Sequence, residues 1–237
     1  MPVYYIDQRL IFPPPDHADP SGLLGVGGDL STARLMEAYR QGIFPWYAPE
    51  DPIQWWSPDP RFVLYSDRLR IPKSVRPLLR KQRFRVTVNA DFAGVIRACK
   101  EIYRPQQEGT WISDELEASY LRWHQEGIAH SVEVWEGDQL VGGLYGELLG
   151  RVFFGESMFS RASNASRVGF IVWVRNLQAQ GLSLIDCQIY TEYLASFGAE
   201  LIPRDVFLAQ LRREQQQPFS VEQLLANFRQ DVDFLLD

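Results

Sequence analysis

The sequence offers little for metal or disulfide chemistry. It holds 2 cysteines, Cys99 and Cys187, and 3 histidines, His17, His124 and His130. The cysteines share no metal spacing, and no histidine sits in an HExxH or CxxC setting. A zinc site is therefore not expected, and no metal or other cofactor is assigned. One disulfide is formally allowed, but nothing favours it, and a reducing compartment is the default. No apolar run approaches the ~20 residues that cross a bilayer. The opening MPVYYIDQRLIFPPP lacks the basic start, apolar run and small-residue cleavage site of a signal peptide, so a cytoplasmic location away from membranes is expected. There is no GxSxG elbow, no Walker A sequence, no internal repeat and no low-complexity segment. GVGGD at Gly25–Asp29 departs from the dinucleotide-binding GxGxxG pattern and reads as a turn.

What is present is ordinary globular composition with an aromatic excess. The 237 residues are 46% hydrophobic, 23% charged and 13% aromatic, with 7 Trp. That is enough chain for a small domain packed on a larger one. The net charge of −6 argues against a purely electrostatic nucleic-acid binder. Local charge differs from the sum. Arg68 to Arg85 reads RLRIPKSVRPLLRKQRFR, with eight cations and no acid. A basic strip on an acidic protein fits a bounded anionic partner such as one arm of a tRNA; a solvated helix face explains it equally well at this stage.

Residues 1–62 are rich in Pro and Gly and read as a small irregular N-terminal domain. Their clear helix runs from Thr32 to Gln41, capped by Ser31 and stopped by Gly42. Residues 63–237 are more regular. Strands are expected at Phe62–Tyr65 and Phe84–Asn89, and helices from Asp91 to near Tyr103 and from Asp114 to Glu126. Three strand-like runs follow: His130–Trp135, Gln139–Leu149 and Arg151–Met158. A helix over Ala165–Gln180, a short strand Leu182–Ile185 and a helix near Val221 complete the pattern, the last with Ser220 and Gln223 as a capping box. This order is α+β. It matches the acetyltransferase-like (GNAT-like) mixed-sheet fold, in which one strand splays from its neighbour to admit an acyl donor; that is a fold-level analogy and does not settle function. The loop that usually binds coenzyme A is missing, since SRASNASRVGF at Ser160–Phe170 stands in its place.

Nine longer signatures remain, in order. They are GLLGVGGDLS (Gly22–Ser31), GIFPWY (Gly42–Tyr47), WWSPDPR (Trp55–Arg61), GTWI (Gly109–Ile112), HSVEVW (His130–Trp135), LVGGLYG (Leu140–Gly146), GESMFS (Gly155–Ser160), IDCQ (Ile185–Gln188) and LASFGA (Leu194–Ala199). Together they strongly resemble the leucyl/phenylalanyl-tRNA–protein transferase family, from about Phe12 to Pro203. The resemblance implies transfer of Leu or Phe, and less well Met, from aminoacyl-tRNA to proteins that begin with Arg or Lys, which marks them for degradation by the N-end rule. It implies a central pair, Asp186 and Gln188, with Asp186 drawing the amine proton through Gln188.

The residues support such chemistry. An α-amine has a pKa of ~7.7–8.0, so a carboxylate and an amide can assist its attack without histidine. Asp186 and Gln188 stand two apart at a strand end and can share a face. Glu156 follows Gly155, whose presence points to a bulge or close approach, and strand alternation puts Glu156 and Met158 on one face. Glu156 is expected to orient the reacting groups or the cationic acceptor. By family position, Leu144, Phe153, Met158, Phe170, Trp173, Leu177 and Ile185 line the donor side-chain pocket, although each is also a plausible core residue. Trp46 and Trp111 resemble the family's platform for the terminal adenine, assisted by Tyr39 and Tyr120. Lys73, Arg76, Arg80, Lys81 and Arg83 are the natural seat for acceptor-arm phosphates. Tyr193 stands where relatives often carry His, which weakens a histidine shuttle, and the size of Trp173 leaves the Leu/Phe preference open. A monomer is the default. Two other readings compete: an acyltransferase serving another amine, and a non-catalytic tRNA-binding protein.

Overall fold

A computed structural model of the chain describes residues 3–103 and 110–236. The elements in chain order are β1 (Tyr4–Ile6), β2 (Leu23–Gly27), α1 (Thr32–Arg40), β3 (Phe44–Pro45), β4 (Gln54–Trp56), β5 (Arg61–Tyr65), α2 (Arg76–Arg80), β6 (Arg85–Val88), α3 (Phe92–Glu101) and α4 (Asp114–Gln125). There follow β7 (Ala129–Glu136), β8 (Gln139–Leu149), β9 (Val152–Ser160), α5 (Ala165–Ala179), β10 (Leu184–Gln188), α6 (Glu192–Ala195), β11 (Glu200–Ile202), α7 (Arg204–Glu214), α8 (Val221–Ala226) and α9 (Val232–Leu236).

The Pro/Gly-rich start is ordered by a sheet of its own, β1-β2-β4-β3. Its strands are two to five residues long, too short to show alternation. Arg34 on α1 pins it from below. The buried guanidinium donates to the carbonyls of Asp7 and Arg9 and to the Asp29 carboxylate. Ser31 caps α1 through the Arg34 N–H, as its position predicts.

The larger sheet has the order β11-β5-β10-β9-β8-β7-β6. All its neighbours are antiparallel except β9 and β10, which run parallel and are joined by α5. Parallel neighbours need such a crossover helix. This is the mixed-sheet α+β architecture expected. β5 opens at Arg61 and belongs to this larger sheet. Each face of the sheet carries one apolar core. On one side Tyr120 and Trp123 of α4 and Phe92 of α3 pack with Tyr145, Phe154 and the N-terminal residues Leu35, Tyr39 and Trp55. On the other, α5 packs Phe170, Trp173 and Leu177 against Leu144, Phe153 and Ile185. The N-terminal sheet is thus fused to the main body through shared core.

The feature that positions the site is where β9 and β10 part. They pair over three positions, Val152–Phe154 with Leu184–Asp186. Beyond that, both strands are bulged. Glu156 is the unmatched residue of β9 between Gly155 and Ser157, which face Gly146 and Tyr145. Cys187 is the unmatched residue of β10 between Asp186 and Gln188, which face Val63 and Phe62. Bulges bend a strand and re-aim its side chains. Gly146 permits the first one: a Cβ there would lie 2.0 Å from the Phe154 carbonyl oxygen.

Candidate active site

The splay of β9 and β10 opens into a cavity of about 540 Å³. Gly155 to Ser160 of β9 and Ile185, Cys187 and Gln188 of β10 form its walls, with Leu144 and Tyr145 from β8 and Phe170 from α5. Trp46 and Trp111 close it on the side of the N-terminal sheet. They also border an adjoining cavity of about 250 Å³, lined by Tyr47, Gln54 and Trp56. Trp46 is 40% exposed, a costly setting for an indole with no partner to cover it. Trp56 holds it in place, packing edge-on at 5.6 Å and donating from its indole N–H to the Trp46 carbonyl at 2.6 Å. Gly109 of GTWI lies outside the described residues; Trp111 and Ile112 lie within them.

Two carboxylates flank the splay, and their surroundings differ. Asp186 is fully buried on β10 and accepts both Arg61 Nε (2.8 Å) and Nη2 (2.6 Å). The Arg61 guanidinium lies over the rings of Phe44 (4.8 Å) and Phe207 (4.6 Å). Asp186 Oδ1 also accepts the Gln188 backbone N–H at 2.9 Å. That bond holds Gln188 in the left-handed conformation, φ 60°, which is rare for a residue with a side chain and recurs at functional sites. The Gln188 amide is thereby turned to Glu156, donating to Oε1 at 2.6 Å.

Glu156 has no cation partner among the described residues. Its Oε2 accepts from the Tyr120 hydroxyl at 2.8 Å, and Tyr39 and Tyr120 share a 2.7 Å hydroxyl contact. The residue keeps some surface open to the cavity while its carboxyl group lies deep among protein atoms. Burial pushes that carboxyl up to about 7, against the pull of the hydrogen bonds it accepts. Tyr193 lines the cavity from α6, bonded to Ser166 Oγ at 2.8 Å under the Arg167 guanidinium at 4.6 Å.

Several expectations need correction. Among the described residues no hydrogen bond joins the Gln188 side chain to Asp186, the link on which the expected proton route depends. Asp186 is spent on Arg61 and lies outside the cavity lining, and the Gln188 amide meets Glu156 instead. Glu156 and Met158 do not share a face, because the bulge turns Glu156 to the α4 side while Met158 packs on the α5 side. Tyr39 and Tyr120 are fully buried and cannot stack on a base; they anchor Glu156. Leu144, Phe153, Met158, Phe170 and Ile185 do line the cavity. Trp173 and Leu177 stand behind it, Trp173 edge-on to Phe153 at 5.5 Å. Lys73, Arg80, Lys81 and Arg83 are exposed and Arg76 is half-buried; none lines either cavity, and Arg83 pairs with Glu136 at 2.9 Å. Neither Cys99 nor Cys187 forms a disulfide.

Two neighbours of the site escaped the sequence reading. Arg61 is visible as a lone cation opening an otherwise apolar strand, and Glu147 as a lone carboxylate in GLYGELL.

The family model of the leucyl/phenylalanyl-tRNA protein transferase matches residues 63–212, and the model of that protein's N-terminal domain matches residues 28–59. The chain belongs to this family. It is 52% identical over 218 residues to the leucyl/phenylalanyl-tRNA–protein transferase of Syntrophus aciditrophicus, covering 92% of this chain and 91% of that protein. The enzyme of the same name from Christiangramia forsetii is 56% identical over 208 residues, 87% of this chain and 98% of that protein. That of Ectopseudomonas mendocina is 56% identical over 209 residues, 87% and 92%. Among solved structures, a functionally unknown conserved protein from Staphylococcus epidermidis aligns over 76% of this chain and 68% of its own at a TM-score of 0.42 and 8% identity. That likeness is too loose to bear on function. Family membership makes the chain an aminoacyltransferase.

Proposed function

We propose that the enzyme moves leucine or phenylalanine, and less well methionine, from aminoacyl-tRNA to the α-amine of proteins beginning with Arg or Lys, marking them for N-end rule degradation. The observation that carries this is one cavity joining three kinds of wall. Leu144, Phe153, Met158, Phe170 and Ile185 offer an apolar end for the donor side chain, Trp46 and Trp111 offer ring faces for the terminal adenine, and Glu156 with Gln188 supplies polar groups at the reacting bond. Stacking of one base on an aromatic ring is worth ~1–3 kcal/mol. An apolar pocket separates side chains differing by a methylene by only ~1–3 kcal/mol, which explains the tolerated methionine.

The proton balance is simple. The amine nitrogen attacks the ester carbonyl, an N–C bond forms, and the ester C–O bond to the tRNA 3′ oxygen breaks. One proton leaves nitrogen and one must reach the leaving oxygen. Glu156, ionised above about 7, accepts the first and returns it. Gln188, whose N–H is committed to Glu156, presents its carbonyl oxygen to the amine. Arg61 and Asp186 act at one remove by fixing Gln188. A carboxylate beside the amine also favours an acceptor bearing a second positive charge. The cations on and beside α2 supply phosphate contacts, and the enzyme works as a monomer in the cytoplasm.

The test is incorporation of radiolabelled leucine from Leu-tRNA into a peptide starting with Arg, beside one starting with Glu. Transfer to the Arg peptide alone supports donor and acceptor together. Binding of Leu-tRNA without transfer to either would leave a tRNA-binding protein.

A further inference from the structure

Behind Glu156 lies a second buried carboxyl group. Glu147 sits on β8 opposite Phe154, one residue beyond the Gly146 that accommodates the β9 bulge. The residue is fully buried, and no other described residue donates a hydrogen bond to either side-chain oxygen. Its carboxyl neighbours that of Glu156, which the β9 bulge turns to the same α4 side of the sheet. Asp186 on β10 adds like charge nearby. The remaining titratable groups turned to the pair are the hydroxyls of Tyr39 on α1 and Tyr120 on α4, with Tyr145 of β8 beside Tyr120. Arg61 is engaged with Asp186, not Glu147.

Two ionised carboxylates are both acceptors and repel, so they can meet this way only when one carries a proton. Glu156 accepts from Tyr120 and Gln188, bonds that favour its ionised form. Glu147 has no such support, and an unpaired ionised carboxylate in an apolar interior is very costly. We propose that Glu147 is a positioning residue for aminoacyl transfer: it holds a proton and donates it to Glu156, so that the two groups share one negative charge, kept on the member that faces the cavity. The electrostatics agree. Burial and the Glu156 charge push Glu147 well above the usual carboxylate range. The inference rests on the role proposed for Glu156. Glu147 lets Glu156 sit deep beside the acceptor amine and still exchange a proton near neutral pH. Without it, the buried Glu156 would lose a donor and stay protonated to higher pH.

The test is the pH dependence of single-turnover transfer in Glu147→Gln and Glu147→Leu. Glutamine keeps a donor toward Glu156, and the acid limb should stay within a few tenths of a pH unit of wild type. Leucine removes the donor, and the limb should rise by about one pH unit, with KM for aminoacyl-tRNA unchanged. An ionised Glu147 predicts the opposite sign for Glu147→Gln, a limb lowered because a negative neighbour is gone. That result, or no movement in either variant, overturns the proposal. If Glu147→Leu fails to fold, the infrared comparison of wild type with Glu147→Gln decides. Infrared spectra of protein carrying ¹³C-glutamate at about pH 8 should show a protonated-carboxyl band that Glu147→Gln abolishes. Absence of that band from wild type also overturns the proposal. This reading needs no transfer, so failure of the proposed reaction stays distinguishable from failure of the Glu147 assignment.

Discussion

Asp186 and Glu156 are the same chemical group on neighbouring strands of one splay, and their partners give them different work. Asp186 accepts two bonds from a guanidinium clamped between Phe44 and Phe207. Its charge is compensated and shut away, which suits a group that fixes geometry. Among the described residues Glu156 has no cation partner and accepts from the neutral donors Tyr120 and Gln188, with another carboxyl behind it. Its charge is barely held, which suits a group that trades a proton. On the proposed assignment, the carboxylate free to trade a proton is marked less by its motif than by whether a cation already owns it.

The largest expected effect falls on the fixed side. Asp186→Asn leaves Arg61 buried without a counter-charge and should lower the unfolding free energy by about 3–5 kcal/mol in denaturant titration. A variant as stable as wild type would mean the pair contributes no such compensation. On the labile side, Glu156→Gln should cut single-turnover transfer on the order of 10²-fold while leaving stability intact or improved. The sign follows from linkage. A carboxylate raised in the folded state contributes stability that is fully present below its unfolded pKa and lost as pH rises through its folded value, here about 7. Wild-type Tm should therefore decline across that range, and the decline should be smaller in Glu156→Gln. Loss of stability without loss of transfer in this variant would erase the contrast.

Away from the splay the effects shrink and change kind. Trp46→Ala should weaken aminoacyl-tRNA binding by about 1–3 kcal/mol, read as a higher KM with kcat little altered. A kcat effect without a KM effect would move Trp46 from the platform to the reacting bond. The smallest change is expected from Lys73→Gln with Arg80→Gln. These exposed cations should lower the salt dependence of tRNA binding by about one unit of log–log slope each, without altering the Leu/Phe ratio. An unchanged slope would return the strip to an ordinary solvated helix face.

Much of the fold was legible because the large elements carry strong local signals. Three consecutive strands, the Ser31 cap and the α4 and α5 helices fall close to their expected bounds. The strands of the N-terminal sheet did not show, since each is short and ordered by Arg34 and shared core rather than by periodicity. Helix α7 was also missed, although its Phe207 supports Arg61. In the candidate site, the hydrogen bonds run differently from those expected. Strand alternation predicts which side chains share a face only while pairing is regular, and the bulges at Glu156 and Cys187 break it where the chemistry sits. Tyr39 and Tyr120 looked like stacking rings, but their hydroxyls face a buried acid, a partner that lies 36 residues from Tyr120 in the chain.

The central claim is that Glu156 is the carboxylate poised to exchange a proton. Its ¹³Cδ resonance, assigned by comparison with Glu156→Gln and followed from about pH 4 to 9 in ¹³C-glutamate-labelled protein, tests this directly. A midpoint near 7 is predicted. A midpoint in the ordinary glutamate range, about 4.3, would mean the group exchanges no proton near neutral pH and would contradict the account.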